Sequence, residues 1–262
     1  GGSINAINAD DGNGSNNGDN DGTSQPALEV TAQHVQSRKA VTIDSVTATK
    51  RGFVAVYRGD GSLGGWAGVN PGTVTDLPVA IDNGDLTDGE TLTASLHRDT
   101  GIVDEFEYTS SGTVDPMVLD GGGNAFEFTF QVTVGVDTPD VYIELAASGS
   151  QDFIFVKVLP PGAGGAEDGA KDPSLQLPQN LRYRVHNTAY MEHPFEFLDA
   201  SDNVLLSQKT AVDGSLESDG TINFQESDED FWFTFSSTLQ SAVAKYRCGV
   251  HTASMTNSVS VQ

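Results

Sequence analysis

The chain has 262 residues, 37 of them acidic and 13 basic, which gives a formal charge of -24 and a pI near 4.2. A field of that sign repels nucleic acid and anionic membrane surfaces, so neither is expected as an electrostatic partner. No stretch approaches the about 20 apolar residues of a membrane-spanning helix, and a single cysteine, Cys248, excludes an internal disulfide.

Residues 1–27 are rich in Gly, Asn, Asp and Ser, and such a run cannot bury enough apolar surface to offset the entropy of ordering. They read as a flexible acidic arm. Within it Asp19-Asn20-Asp21-Gly22 has the look of a calcium loop but lacks a closing glutamate at the right distance. Asn13-Gly14-Ser15 forms a glycosylation sequon. Ile4 and Ala6 would share one face of an extended strand, so the arm is expected to add to a neighbour's sheet edge and build a head-to-tail homopolymer. The start at Gly1-Gly2-Ser3 reads as that of a processed chain.

Residues 28–159 are expected to form a first β-sandwich domain, of unknown function. Val41–Val46, Phe53–Tyr57, Phe126–Val134, Val141–Leu145 and Phe153–Val158 are short segments rich in β-branched and aromatic residues, punctuated by turns such as Asp60-Gly61 and Asn83-Gly84. Gly52–Tyr57 and Gly89–Thr100 resemble a β-rich domain that recurs in haloarchaeal surface proteins, whose biochemical function is unknown. His97, beside Arg98 and Asp99, reads as part of a polar cluster at a strand end. Sparse lysine with acid spread along the whole chain likewise resembles the proteins of extreme halophiles, in whose molar salt self-repulsion is screened to within a few ångströms.

Pro160-Pro161-Gly162-Ala163-Gly164-Gly165 opens a linker, residues 160–174, stiff at first and then flexible. Residues 175–262 are expected to be a second sandwich, with strands over Asn180–Val185, Pro194–Leu198, Val204–Gln208, Asp230–Ser236, Ala242–Cys248 and Asn257–Val261.

Near the end of this second half stands Lys245-Tyr246-Arg247-Cys248-Gly249-Val250-His251-Thr252-Ala253-Ser254-Met255. A thiolate, an imidazole and a thioether on one short loop are the donors that soft, redox-active copper selects. Closed by a last strand, the string resembles the C-terminal copper-binding hairpin of the cupredoxins, the blue copper proteins. The resemblance implies a Greek-key sandwich holding one type 1 copper, and one further histidine at the head of an earlier strand. His193, leading Pro194-Phe195-Glu196-Phe197, answers that description; His186, in the alternating run Arg182–His186, is its rival. The family would then place His193, Cys248 and His251 in a roughly trigonal plane with Met255 as a long axial ligand, and would use His251, nearest the surface, as the exit for the electron.

His193-Pro194-Phe195 also looks like a segment of the multicopper oxidases. Glu196 and Leu198 stand where those enzymes carry further histidines, and Arg247 and Gly249 flank Cys248 where they carry two more. A single copper and no enzymatic activity are therefore expected. Pro194 stands where the small plastocyanin-like proteins have an asparagine that braces the cysteine loop. Zinc is the competing occupant in vitro, although structural zinc sites rarely accept a thioether. The functional expectation is an extracellular or cell-surface one-electron carrier that meets a redox partner protein. The alternative is a structural subunit of a surface filament or layer that carries the copper domain.

Overall fold

The computed structural model describes residues 25–109, 112–209 and 211–262, and these are almost entirely β-structure. The sequon at Asn13, the calcium-like loop at Asp19 and the arm expected to polymerise lie outside the described residues, apart from the last residues of the arm. Two compact units divide the chain: one holds Ala40–Val136 and the described residues up to Val35, the other Gln36–Lys39 and Asp137–Gln262.

The first unit is a sandwich of eight strands, β1 (Ala27–Glu29), β2 (Gln33–His34), β3 (Ala40–Ala48), β4 (Gly52–Arg58), β5 (Leu63–Val69), β6 (Gly72–Ala80), β7 (Thr91–Arg98) and β8 (Glu127–Thr133). One sheet has the order β1-β3-β6 and the other β2-β8-β7-β4-β5. Val41, Ile43 and Val46 of the first meet Val54, Val56, Leu92, Ala94, Leu96, Phe130 and Val132 of the second in a single apolar core. β5 escapes prediction because the run Leu63-Gly64-Gly65-Trp66-Ala67-Gly68-Val69 is poor in strand formers. Gly65 answers to close approach: a Cβ there would fall 1.8 Å from the carbonyl oxygen of Ala80.

The second unit comprises β9 (Val141–Ser148), β10 (Asp152–Leu159), β11 (Ala170–Lys171), β12 (Leu175–Leu177), β13 (Arg182–Asn187), β14 (Phe195–Leu198), β15 (Val204–Ser207), β16 (Gln225–Ser227), β17 (Asp230–Thr234), the helix α1 (Ser237–Ala242), β18 (Lys245–Cys248) and β19 (Thr256–Val261). A six-stranded sheet of order β11-β10-β9-β13-β17-β16 faces a five-stranded one of order β12-β19-β18-β14-β15. Phe153, Phe155, Tyr183, Phe231 and Phe233 from the first interdigitate with Phe195, Phe197, Leu206 and Tyr246 from the second. The ring of Phe195 stacks on that of Tyr246, with centroids 5.4 Å apart. Such a core has the dense apolar filling of a two-layer sandwich.

The expected boundary at residue 159 is corrected here to Val136/Asp137. β9 pairs in parallel with β13, Val141 opposite Tyr183 through Asn187 opposite Leu145, so β9 and β10 belong to the second unit's sheet. Parallel partners lie far apart in sequence, and alternation within each strand says nothing of which sheet it joins. The expected linker 160–174 is corrected for a related reason. Its Asp168 carboxylate accepts from the Val158 N–H (2.7 Å) and its Asp172 carboxylate from that of Phe153 (3.0 Å), while Gly169 N–H donates to the Phe155 carbonyl (2.7 Å). The segment is stitched along β10 instead of spanning a gap. The helix α1 replaces the start of the strand expected at Ala242, capped by Ser236, whose hydroxyl accepts from Leu239 N–H.

Candidate metal centre

β13 ends at Asn187, and the chain turns back over seven residues to reach β14 on the opposite sheet. Asn187 controls that turn from a fully buried position. Its amide donates to the His193 carbonyl (2.7 Å) and to the side-chain oxygen of Gln208 (2.9 Å), while its own oxygen accepts from Ala189 N–H (3.1 Å). Gln208 grips the next residue from both sides: its side-chain oxygen accepts from Phe195 N–H (3.1 Å), and its backbone N–H donates to the Phe195 carbonyl (2.9 Å). His193 therefore enters the site on a backbone fixed before and after it.

The second ligand segment leaves β18 at Cys248 and returns as β19. Cys248 N–H donates to the Met255 carbonyl (2.8 Å), and Met255 N–H to the His251 carbonyl (3.2 Å), which folds the loop on itself. Gly249 N–H donates to the Pro194 carbonyl (2.8 Å) and ties the two ligand segments together. This bond, with Asn187 and Gln208, supplies the bracing for which Pro194 left no side chain. The Gln208 and Asn187 roles were not legible in sequence, since nothing in the chain marks Gln208 as the partner of Asn187, 21 residues before it, or of Phe195.

In this frame His251 Nδ1 lies 3.1 Å from His193 Nδ1, and the Cys248 sulfur lies 3.6 Å from the former and 3.8 Å from the latter. A triangle with these sides has its centre about 2 Å from each corner, which is close to metal–imidazole and metal–thiolate bond lengths. His193, Cys248 and His251 make the one group of three such side chains, among the described residues, whose ligand atoms converge in this way. The Cys248 sulfur also accepts from the backbone N–H groups of Val250 (3.3 Å) and His251 (3.2 Å), which fix its position on the loop. Burial first, and then the neighbouring His251, hold the His193 imidazole below the ordinary histidine range, which keeps the ring in its neutral, coordinating form. Met255 is fully buried in the apolar core beside the loop.

His186 lies elsewhere. It projects from β13 toward the Asp230 carboxylate, at 3.0 Å, and Glu229, at 3.5 Å, and stacks on Tyr142. Replacing His193 by alanine is thus expected to remove tight copper binding, whereas His186→Ala should leave it intact; equilibrium dialysis of the two variants checks this, and the reverse result would move the ligand to His186.

Behind the centre, Glu196 is 1% exposed and is held by Arg247 Nε (2.9 Å) and the Ser207 hydroxyl (3.2 Å). Phe195 and Phe197 do alternate with it, but the face it occupies is covered instead of wet, and all four residues of β14 are buried. Glu196 and Leu198 are thus structural in this chain, one in an ion pair and the other in the core.

A family model described as "Domain of unknown function (DUF7282)" matches residues 26–133, all of which but Gln36–Lys39 lie in the first unit. No curated protein matches the chain. Solved structures similar to it include a biofilm-associated protein BSP domain (17% identity, covering 70% of this chain and 21% of that one, TM-score 0.24). Another is a tetra-tandem repeat from the extending region of a large adhesion protein (12% identity, 90% and 47%, TM-score 0.23). A third is a multicopper oxidase, a metallo-oxidase from Campylobacter jejuni (10% identity, 85% and 51%, TM-score 0.18). The chain spans about a fifth to a half of the length of these proteins. At such scores they carry no argument about its function.

Proposed function

We propose that the second unit is a cupredoxin-like domain that holds one copper ion between His193, Cys248, His251 and Met255, and that the chain serves as a one-electron carrier outside the cell or at its surface. The observation that supports this reading is the triangle of two imidazole nitrogens and one thiolate sulfur, already spaced for a metal of about 2 Å bond length. Copper suits the donor set better than zinc because the loop that carries Cys248 and His251 also carries the Met255 thioether.

Bound copper would supply one-electron exchange between its cuprous and cupric states. The protein's part is to keep the donors still. Asn187, Gln208 and the Gly249-to-Pro194 hydrogen bond hold both ligand segments in place, so little has to rearrange as charge comes and goes. Phe195 and Met255, both buried, exclude water from the core side. His251 is only half-buried, and the exposed apolar side chains of Val250 (52%) and Met191 (76%) flank the ligand segments, which suits a brief encounter with a redox partner protein. In this reading the chain is a carrier and not an enzyme, since Glu196, Arg247 and Leu198 are committed to packing and pairing instead of to a second metal.

Visible absorption and paramagnetic resonance of copper-loaded protein test the proposal. An intense visible charge-transfer band with a type 1 signal is expected; a colourless complex would refute it. Met255→Leu should raise the reduction potential, because losing a weak axial donor destabilises the cupric state more than the cuprous one; an unchanged potential by voltammetry would make Met255 a core residue only. The second reading, a structural subunit of a surface layer or filament carrying the same copper unit, differs in assembly. Sizing in molar salt separates the two: a monomer supports the simple carrier, and a concentration-dependent polymer supports the subunit.

A further inference from the structure

The first unit has an outer sheet face that its core does not use. Val54, Val56, Leu92, Ala94 and Leu96 point into the core, so the alternate residues of β4 and β7, among them Tyr57, Thr93, Ser95 and His97, face away from it. The segment after β7 returns across this face. Met117 bridges to His97, and the rings of Phe106 and Tyr108 pack on the His97 imidazole with centroids 5.0 and 4.6 Å away. Asp115, fully buried, fastens the segment by accepting from the N–H groups of Thr100 (2.9 Å), Gly101 (3.3 Å) and Glu107 (2.7 Å). The polar cluster expected around His97 is thus a buried aromatic nest.

Between this segment and the sheet lies an open cleft of about 510 Å³, lined by Tyr57, Tyr108, Thr91, Thr93, Met117 and Glu127, with Arg58 at one wall. Its polarity is fixed from below. His97 Nδ1 faces the Asp115 carbonyl at 2.8 Å, which can only accept, so Nδ1 carries the proton. In the neutral ring Nε2 is then an acceptor, and the Tyr57 hydroxyl, 3.4 Å away, donates to it. Tyr57 is left to present oxygen lone pairs to the cleft, beside the Glu127 carboxylate. The Thr91 and Thr93 hydroxyls add groups that can both donate and accept.

A ligand for it must offer closely spaced donors and acceptors together with an apolar face for Met117 and the tyrosine rings. An anion would meet Glu127 and the field of a protein of charge -24. A simple cation would leave the hydroxyl donors of Thr91 and Thr93 unanswered. We propose that this cleft is a saccharide-binding site that takes a neutral hexopyranose unit, whose C–H face lies on the aromatic rings while its hydroxyls meet Glu127, Tyr57 and the threonines.

The full chain, in molar salt, is titrated with the methyl glycosides of glucose, mannose and galactose and with the corresponding disaccharides, followed by saturation-transfer resonance and calorimetry. Tetramethylammonium and glucuronate serve as charged probes. At least one neutral glycoside should saturate. Glu127 and Thr91 are exposed, so Glu127→Gln and Thr91→Val should keep the thermal midpoint; Glu127→Gln should weaken binding about tenfold or more, the loss of one charge-assisted hydrogen bond. Tighter binding of a disaccharide would mark a glycan chain as the source and equal binding a free sugar, and either upholds the site. Failure of every neutral glycoside to saturate, saturation unaltered in both variants, or preference for either charged probe would overturn it.

Discussion

Replacing Cys248 by serine is expected to remove the blue colour of the copper-loaded protein altogether and to lower its copper affinity by well over the about ten- to hundredfold that loss of an outer-shell partner costs. The cysteine is the sole source of a thiolate in the chain, and the charge-transfer band requires a cupric–sulfur bond. Serine is nearly the same size, and its oxygen can accept from the Val250 and His251 N–H groups that now serve the sulfur, so the loop should keep its shape. That separates loss of the ligand from loss of the fold. Visible spectroscopy and a competitive copper titration, run beside thermal unfolding of the metal-free forms, give the answer; a serine variant that stays blue would remove Cys248 from the site.

The largest effect on stability is expected from Arg247→Ala. Glu196 is almost fully buried, and among the described residues Arg247 is its cationic partner, with the Ser207 hydroxyl a second donor. Breaking a buried pair from one side leaves an uncompensated charge and typically costs about 3–5 kcal/mol, on the order of 10 °C in thermal midpoint for a chain of this size. Because the pair is buried, molar salt should protect the variant little. Replacing both residues by methionine should recover most of the loss, since an apolar pair of similar volume is often as stable as the ions it replaces. Urea unfolding of the single and double variants measures both; a loss below about 1 kcal/mol for Arg247→Ala would put the pair among ordinary surface ion pairs.

How far the sequence could be read depended on distance along the chain. The three proposed donors between Cys248 and Met255 stand out in the sequence because one loop carries them. His193 stood out from its place before an alternating run, and in the structure it lies beside Cys248 and His251 while His186 lies beside Asp230. The all-β class followed from local patterns too. What escaped was non-local: the parallel pairing of β9 with β13, the buried carboxamides of Asn187 and Gln208, and the partner of Glu196, 51 residues away. Composition misled at residues 160–174, where proline and glycine suggested a tether and two aspartates held the segment to a strand. At His97 the reading stopped at the strand, since the rings that enclose it come from a segment with no strand of its own.

The pairing of β9 with β13 also fixes what recombination could move. A gene fragment beginning at the codon for Leu175 would encode every proposed ligand yet omit the three strands that fill one end of the six-stranded sheet, β9, β10 and β11, and with them Phe153, whose ring lies 5.8 Å from that of Phe195, two residues after His193. The heritable module for this chemistry is therefore longer than the stretch that carries its donors, and a junction that preserves it has to fall before Val141.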